Sequence, residues 1–118
     1  ISIHMPLNSK TKNLIDLKML KNMKKNTIII NTARGGVINE NDLDFALKEK
    51  IIFAAGLDVF EKEPPDTNNP LLKNNRVLLS PHSATFTKEC KYRMGIETAQ
   101  NIIDFFENKI NKSMLVKL

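Results

Sequence analysis

Apolar residues along this chain fall into two alternating patterns, one with strand-like runs and one with helical spacing. Residues 1–5 alternate Ile, Ser, Ile, His and Met, and Pro6 closes the run because proline has no N–H for a sheet ladder. After a polar connection over 7–13, Leu14, Leu17, Leu20 and Met23 recur every third residue and predict a short amphipathic helix over 14–23. Lysines gather towards its end, where positive charge opposes the helix dipole. Residues 27–31, Thr-Ile-Ile-Ile-Asn, are apolar without alternation and predict a strand buried on both faces, as in a parallel sheet.

A second helix is predicted after Asn39 or Asn41, either of which can cap it, with acidic residues in the first turn and Leu43, Ala46 and Leu47 facing inwards. Residues 51–59 read as another buried strand with Asp58 at its end. Pro64, Pro65 and Pro70 among several Asn and Asp make 61–75 a long loop. A fourth strand over 76–80 is closed by Pro81-His82, and a final helix over 87–108 carries Met94, Ala99, Ile102, Ile103 and Phe106 along one side, with Thr85 or Thr87 as its cap.

The order β-α-β-α-β-loop-β-α predicts an α/β fold: a Rossmann-like parallel sheet with right-handed crossovers and flanking helices. Ligands in such sheets sit in the crevice outside the carboxyl ends of the strands. Each of the four predicted ends carries a polar residue, namely His4, Arg34, Asp58 and His82. Arg34 precedes a Gly35-Gly36 turn and offers a planar fork of donors for a carboxylate or phosphate; the plainer alternative is a surface arginine capping that turn. Histidine is the usual side chain for general acid–base chemistry, so His82 could serve as the acid–base, or be a hydrogen-bonded structural residue. Glu63 could fold back on it, where a carboxylate favours the charged imidazole, or be an exposed loop charge. An arginine beside a protonated histidine suits reduction of a carbonyl next to a carboxylate: one grips the acid while the other protonates the oxygen as hydride arrives.

Composition narrows the classes. With 118 residues, 42% apolar and 26% charged, the chain has the make-up of one small globular domain. The net charge of +5 is spread over scattered lysines with few aromatics among them, so no nucleic-acid surface is predicted. A lone cysteine, Cys90, excludes an internal disulfide and fits a reducing, cytoplasmic setting; no signal peptide is visible, and no apolar run approaches the ~18 residues of a membrane span. No metal centre is predicted, since His4 and His82 lie on separate strands without ligand spacing around them, and there is no Gly-x-Ser-x-Gly nucleophile elbow. Hydride chemistry needs a cofactor, yet the Gly-x-Gly-x-x-Gly phosphate fingerprint is absent. Because the chain starts inside a strand-like run, the expectation is a piece of a longer protein whose phosphate-binding half precedes Ile1.

Four ordered stretches sharpen this. His4-Met-Pro-Leu-Asn-Ser-Lys-Thr, Ile30-Asn-Thr-Ala-Arg-Gly-Gly, Ala55-Gly-Leu-Asp-Val-Phe-Glu-Lys-Glu-Pro64 and Leu79-Ser-Pro-His-Ser-Ala-Thr85 resemble the C-terminal half of the nucleotide-binding domain of the D-isomer-specific 2-hydroxyacid dehydrogenases, the family of 3-phosphoglycerate dehydrogenase. The resemblance implies an oxidoreductase that moves hydride between NAD, or NADP, and a D-2-hydroxy acid or its 2-oxo acid. It implies that Arg34 binds the substrate carboxylate, His82 is the acid–base and Glu63 its partner. Thr32, Ala33 and Arg34 would face the nicotinamide end of the cofactor, with His82, Ser83 and Ala84 also near it. Asp58 would hold the carboxamide, and His4 and Pro6 would lie along the dinucleotide. Residues 1–108 would belong to the nucleotide-binding domain, 109–118 would start the return to the substrate domain, and the whole protein would be a homodimer.

Many members have Gly-Gly where this chain has Ser83-Ala84, and Glu63 argues against formate dehydrogenase, which lacks that glutamate. An alternative of another class is the NAD-sensing binding module of the C-terminal-binding transcriptional co-repressors, which have similar motifs. The 118 residues alone are expected to be inactive.

Overall fold

The computed structural model of the protein describes residues 1–115, which form two compact units, Ile1–Ala84 and the described residues from Thr85 onwards. In the first unit, β1 (Ser2–Ile3), β2 (Ile28–Asn31), β3 (Ala54–Leu57) and β4 (Val77–Leu79) make one sheet in the order β1-β2-β3-β4. Every pairing is parallel, with Ile3 opposite Asn31, Asn31 opposite Leu57 and Leu57 opposite Leu79. Helices α1 (Leu17–Lys21) and α2 (Glu40–Lys48) and a 3-10 turn (Pro70–Lys73) fill the three connections. The predicted α/β order is therefore the observed one.

One face of the sheet carries the core. Ile29, Ala55 and Leu57 pack with Leu20 of α1, Leu43 and Leu47 of α2 and Leu71 of the 3-10 turn, all buried. Burying one such aliphatic side chain is worth about 1.5–3 kcal/mol. A one-residue slip of β2 would turn Ile29 to the other face, so this burial fixes the register.

The expectation that 27–31 is buried on both faces does not hold within this unit. Ile28 and Ile30 stay 46% and 38% exposed while Ile29 and Asn31 are buried. The physical reason is that α1, α2 and the 3-10 turn all pack on the same side. The first helix is also shorter than predicted. Asp16 caps it by accepting from the Met19 amide, and the chain before it hydrogen-bonds the 36–39 segment instead (Ile15 N to the Val37 carbonyl, Asn39 N to the Ile15 carbonyl). Ile15 is buried in that bridge and Leu14, assigned to the inner stripe by spacing alone, is exposed. For α2 the prediction is met in detail: Asn39 caps it through the Asp42 amide, and Leu43, Ala46 and Leu47 are buried.

In the second unit α3 (Lys88–Phe106) is capped by Thr87, whose hydroxyl accepts from the Cys90 amide. Met94, Ile102 and Phe106 are each more than half exposed. A short 3-10 turn (Lys112–Met114) follows, and residues 116–118, the end of the segment expected to return to a substrate domain, lie outside the described residues. Among the described residues no helix is long and apolar enough to cross a membrane, and no cluster of three or more His, Cys, Asp or Glu could hold a metal.

Candidate active site

Parallel strands put the residues after β1, β2, β3 and β4 on one rim of the sheet, and two recesses open there. His4, Met5, Pro6, Thr32, Ala33 and Arg34 line one of about 330 Å³ at the ends of β1 and β2. The other, about 430 Å³ and largely apolar, lies at the ends of β3 and β4, with Asp58, Glu63 and His82 beside Phe60, Leu79 and Pro81.

Arg34 sits in a turn just beyond the last residue of β2. The side chain of that last residue, Asn31, points inwards and is 2% exposed. Its Oδ1 accepts from the Ala33 amide at 3.1 Å and its Nδ2 donates to the Arg34 carbonyl at 2.9 Å. Gly35 then meets the chain after β3 so closely that a Cβ there would lie 1.9 Å from the Phe60 carbonyl, so only glycine fits. The guanidinium itself is exposed and donates from Nη1 to the Ala33 carbonyl at 2.6 Å.

The turn after β4 is held by a charge. Asp58 is 3% exposed, and its Oδ1 accepts from the Ser80 hydroxyl at 2.5 Å and the Ser83 amide at 2.8 Å, while Oδ2 accepts from the Ala84 amide at 2.9 Å. Its carbonyl also accepts from the His82 amide at 2.9 Å. Burial pushes the Asp58 carboxyl up, but the Ser80, Ser83 and Ala84 hydrogen bonds and the nearby His82 outweigh it, and the net effect is a value below the usual carboxylate range. Held this way, His82 adopts φ 51°, a left-handed backbone uncommon outside glycine. Backbone outliers of this kind gather at functional sites.

His82 Nδ1 lies 2.7 Å from Glu63 Oε2, and Glu63 Oε1 accepts from the Phe60 amide at 3.0 Å. The His82 hydrogen bond first, then that of Phe60 and the positive charge of Arg34, lower the Glu63 carboxyl, while partial burial opposes them. With Nδ1 on the carboxylate, Nε2 makes no hydrogen bond among the described residues and is left for another group. At the far edge, His4 Nε2 is 2.7 Å from Ser2 Oγ.

The structure therefore pairs Glu63 with His82 in one recess, sets Arg34 with Thr32, Ala33, His4 and Pro6 around the other recess of the same rim, and turns the Ser83 and Ala84 amides onto Asp58. Three supporting residues escaped the sequence reading: Asn31, Ser80 and Phe60. A polar residue at an inward position of an apolar strand was the available signal for Asn31, because a buried amide needs partners.

Comparison with known proteins agrees with this fold. Residues 1–84 match the sequence profile of the D-isomer specific 2-hydroxyacid dehydrogenase, NAD binding domain. The chain belongs to that family. It is 42% identical over 115 residues to a glyoxylate reductase of Aeropyrum pernix, covering 98% of this chain and 34% of that protein. It is 47% identical over 102 residues to a D-3-phosphoglycerate dehydrogenase of Methanocaldococcus jannaschii, covering 86% of this chain and 19% of that one. The NAD-complexed D-isomer specific 2-hydroxyacid dehydrogenase of Lactobacillus delbrueckii ssp. bulgaricus superposes with a TM-score of 0.85 at 30% identity, over 97% of this chain and 39% of that structure. The chain thus spans about a third of the glyoxylate reductase it matches.

Proposed function

We propose that this chain supplies the acid–base and carboxylate-binding part of an NAD(P)-dependent dehydrogenase that interconverts a D-2-hydroxy acid and its 2-oxo acid. The observation that carries it is the His82–Glu63 pair, with Nδ1 engaged at 2.7 Å and Nε2 available, on the same rim of the parallel sheet as Arg34. The rim recess, with the small side chains Thr32 and Ala33 next to Pro6 and His4, fits the flat nicotinamide end of a dinucleotide. The chain has no glycine-rich loop for the pyrophosphate, so the residues present account for one end of the cofactor only.

When bound, the dinucleotide supplies or accepts the hydride. Arg34 binds the substrate carboxylate and so orients the adjacent carbonyl. His82 donates a proton from Nε2 to the carbonyl oxygen during reduction and takes it back during oxidation. Glu63 fixes the ring orientation and stabilises the protonated imidazole. Asp58 keeps the Ser83 and Ala84 amides, and with them the nicotinamide side of the site, in place. In this reading residues 1–108 belong to the nucleotide-binding domain, 109–118 begin the return to a substrate domain, and the whole protein works as a cytoplasmic homodimer, the compartment being supported by the single Cys90.

The test is an NADH- and NADPH-oxidation assay of the full-length protein with glyoxylate, hydroxypyruvate and pyruvate. Reduction of at least one, with KM raised ten-fold or more by Arg34→Ala, is the expected result. Absence of turnover with all three, or an unchanged KM in that variant, would overturn the assignment.

A further inference from the structure

Arg34 is an exposed arm whose one hydrogen bond among the described residues goes to the carbonyl of its own neighbour, Ala33. What fixes the direction of the fork is therefore the main chain at residues 32–35. That stretch has left the sheet, since β2 stops at Asn31, and two contacts shape it. On one side Gly35 lies directly on the Phe60 carbonyl. On the other, a single buried side chain spans the turn: Asn31 accepts from the Ala33 amide and donates to the Arg34 carbonyl.

A carboxamide is the group that can do both, offering an acceptor and a donor from one planar head. A carboxylate would keep the Ala33 bond but set an oxygen against the Arg34 carbonyl. A serine would be too short to span the turn. The carbonyl of Asn31 also accepts from the Asp58 amide, so the residue that shapes the arginine turn is bonded to the strand end that anchors the histidine turn.

We propose that Asn31 is the positioning residue of the carboxylate-binding arm, setting how Arg34 meets its anion without touching substrate; this rests on the reading of Arg34 given above. The experiment is steady-state kinetics of full-length Asn31→Asp and Asn31→Ser, beside Arg34→Ala, with whichever of glyoxylate, hydroxypyruvate and pyruvate the parent reduces fastest. Both Asn31 variants are expected to raise KM for the 2-oxo acid about ten-fold, as a displaced binding group would, while kcat and the KM for NADH stay within about three-fold. A structural defect alone would move all three together, and that result would overturn the proposal. So would parent-like KM in both Asn31 variants while Arg34→Ala raises it, which leaves the assignment of Arg34 intact. An unchanged KM in Arg34→Ala would defeat that assignment and this inference with it. If Asn31→Asp does not fold, the neutral Asn31→Ser decides; if neither melts cooperatively, Asn31 is a core residue and the proposal falls.

Discussion

The turn that carries Arg34 and the turn that carries His82 follow β2 and β4, two strands of one sheet separated by β3, and they are anchored by different chemistry. A neutral amide, Asn31, holds the first from inside, and the guanidinium beyond it is exposed, bonded only to the Ala33 carbonyl among the described residues. An anion, Asp58, holds the second through three donors, and a second carboxylate, Glu63, pins the imidazole. An arginine that grips a carboxylate needs a fixed base and some reach. An imidazole that passes a proton has to be delivered at one angle. The difference in anchoring matches the tasks proposed for the two residues, and it makes only one of the two turns sensitive to acid.

The largest effect that could break this contrast is kinetic. On the proposed function, His82→Ala in the full-length protein should lower kcat by roughly 10²–10⁴-fold, the usual contribution of a positioned acid–base group, while Arg34→Ala acts mainly on KM. Equal losses of kcat in the two variants would erase the distinction.

Next comes stability. Asp58→Ala strips the acceptor from two amides and a hydroxyl and should cost about 2–3 kcal/mol in urea unfolding. The sign with pH follows from the lowered carboxyls of Asp58 and Glu63. Each contributes stability that is fully present above its unfolded-state value, near ~4, and is lost as the pH falls through the lower folded-state value. The urea midpoint of the parent should therefore fall on acidification below about pH 4, less steeply in Asp58→Asn. Asn31→Ser should shift that curve without changing its slope, because an amide does not titrate.

Gly35→Ala is the intermediate case. A Cβ at 1.9 Å from the Phe60 carbonyl forces two main-chain segments apart, and overpacking of this kind costs about 1–3 kcal/mol, read as a lowered Tm. The smallest effect is expected at Lys12→Ala. It removes a 3.1 Å ion pair with Glu61 in which both partners are half exposed, worth less than about 0.5 kcal/mol. A larger loss there would mean that the rim is tied together by surface charge rather than by its buried anchors.

Much of the fold was legible because it is written in local signals. The α2 cap and stripe, the four strand ends and the long loop follow from side-chain type and spacing, and the parallel order follows from alternation. Period alone failed at Leu14, where Asp16 is the better helix start and tertiary hydrogen bonds claim the preceding chain. It failed again at Ile28 and Ile30, because a run of three Ile does not say which face receives helices. At the site, the pairing of Glu63 with His82 was open from sequence, since 19 positions and a proline-rich loop separate them. The enclosure of Asp58 was illegible: strand-end position suggests an outward group, and only the fold of the 80–84 turn brings its donors inwards.

At His82 the main chain rests where a residue with no Cβ would be most comfortable, so the imidazole is kept against the local preference of the backbone. Relief of backbone discomfort and loss of the proposed proton donor coincide at one position. A library screened for heat resistance alone would therefore tend to discard the histidine early, and thermostable variants of this domain should be sought only with turnover as a second criterion.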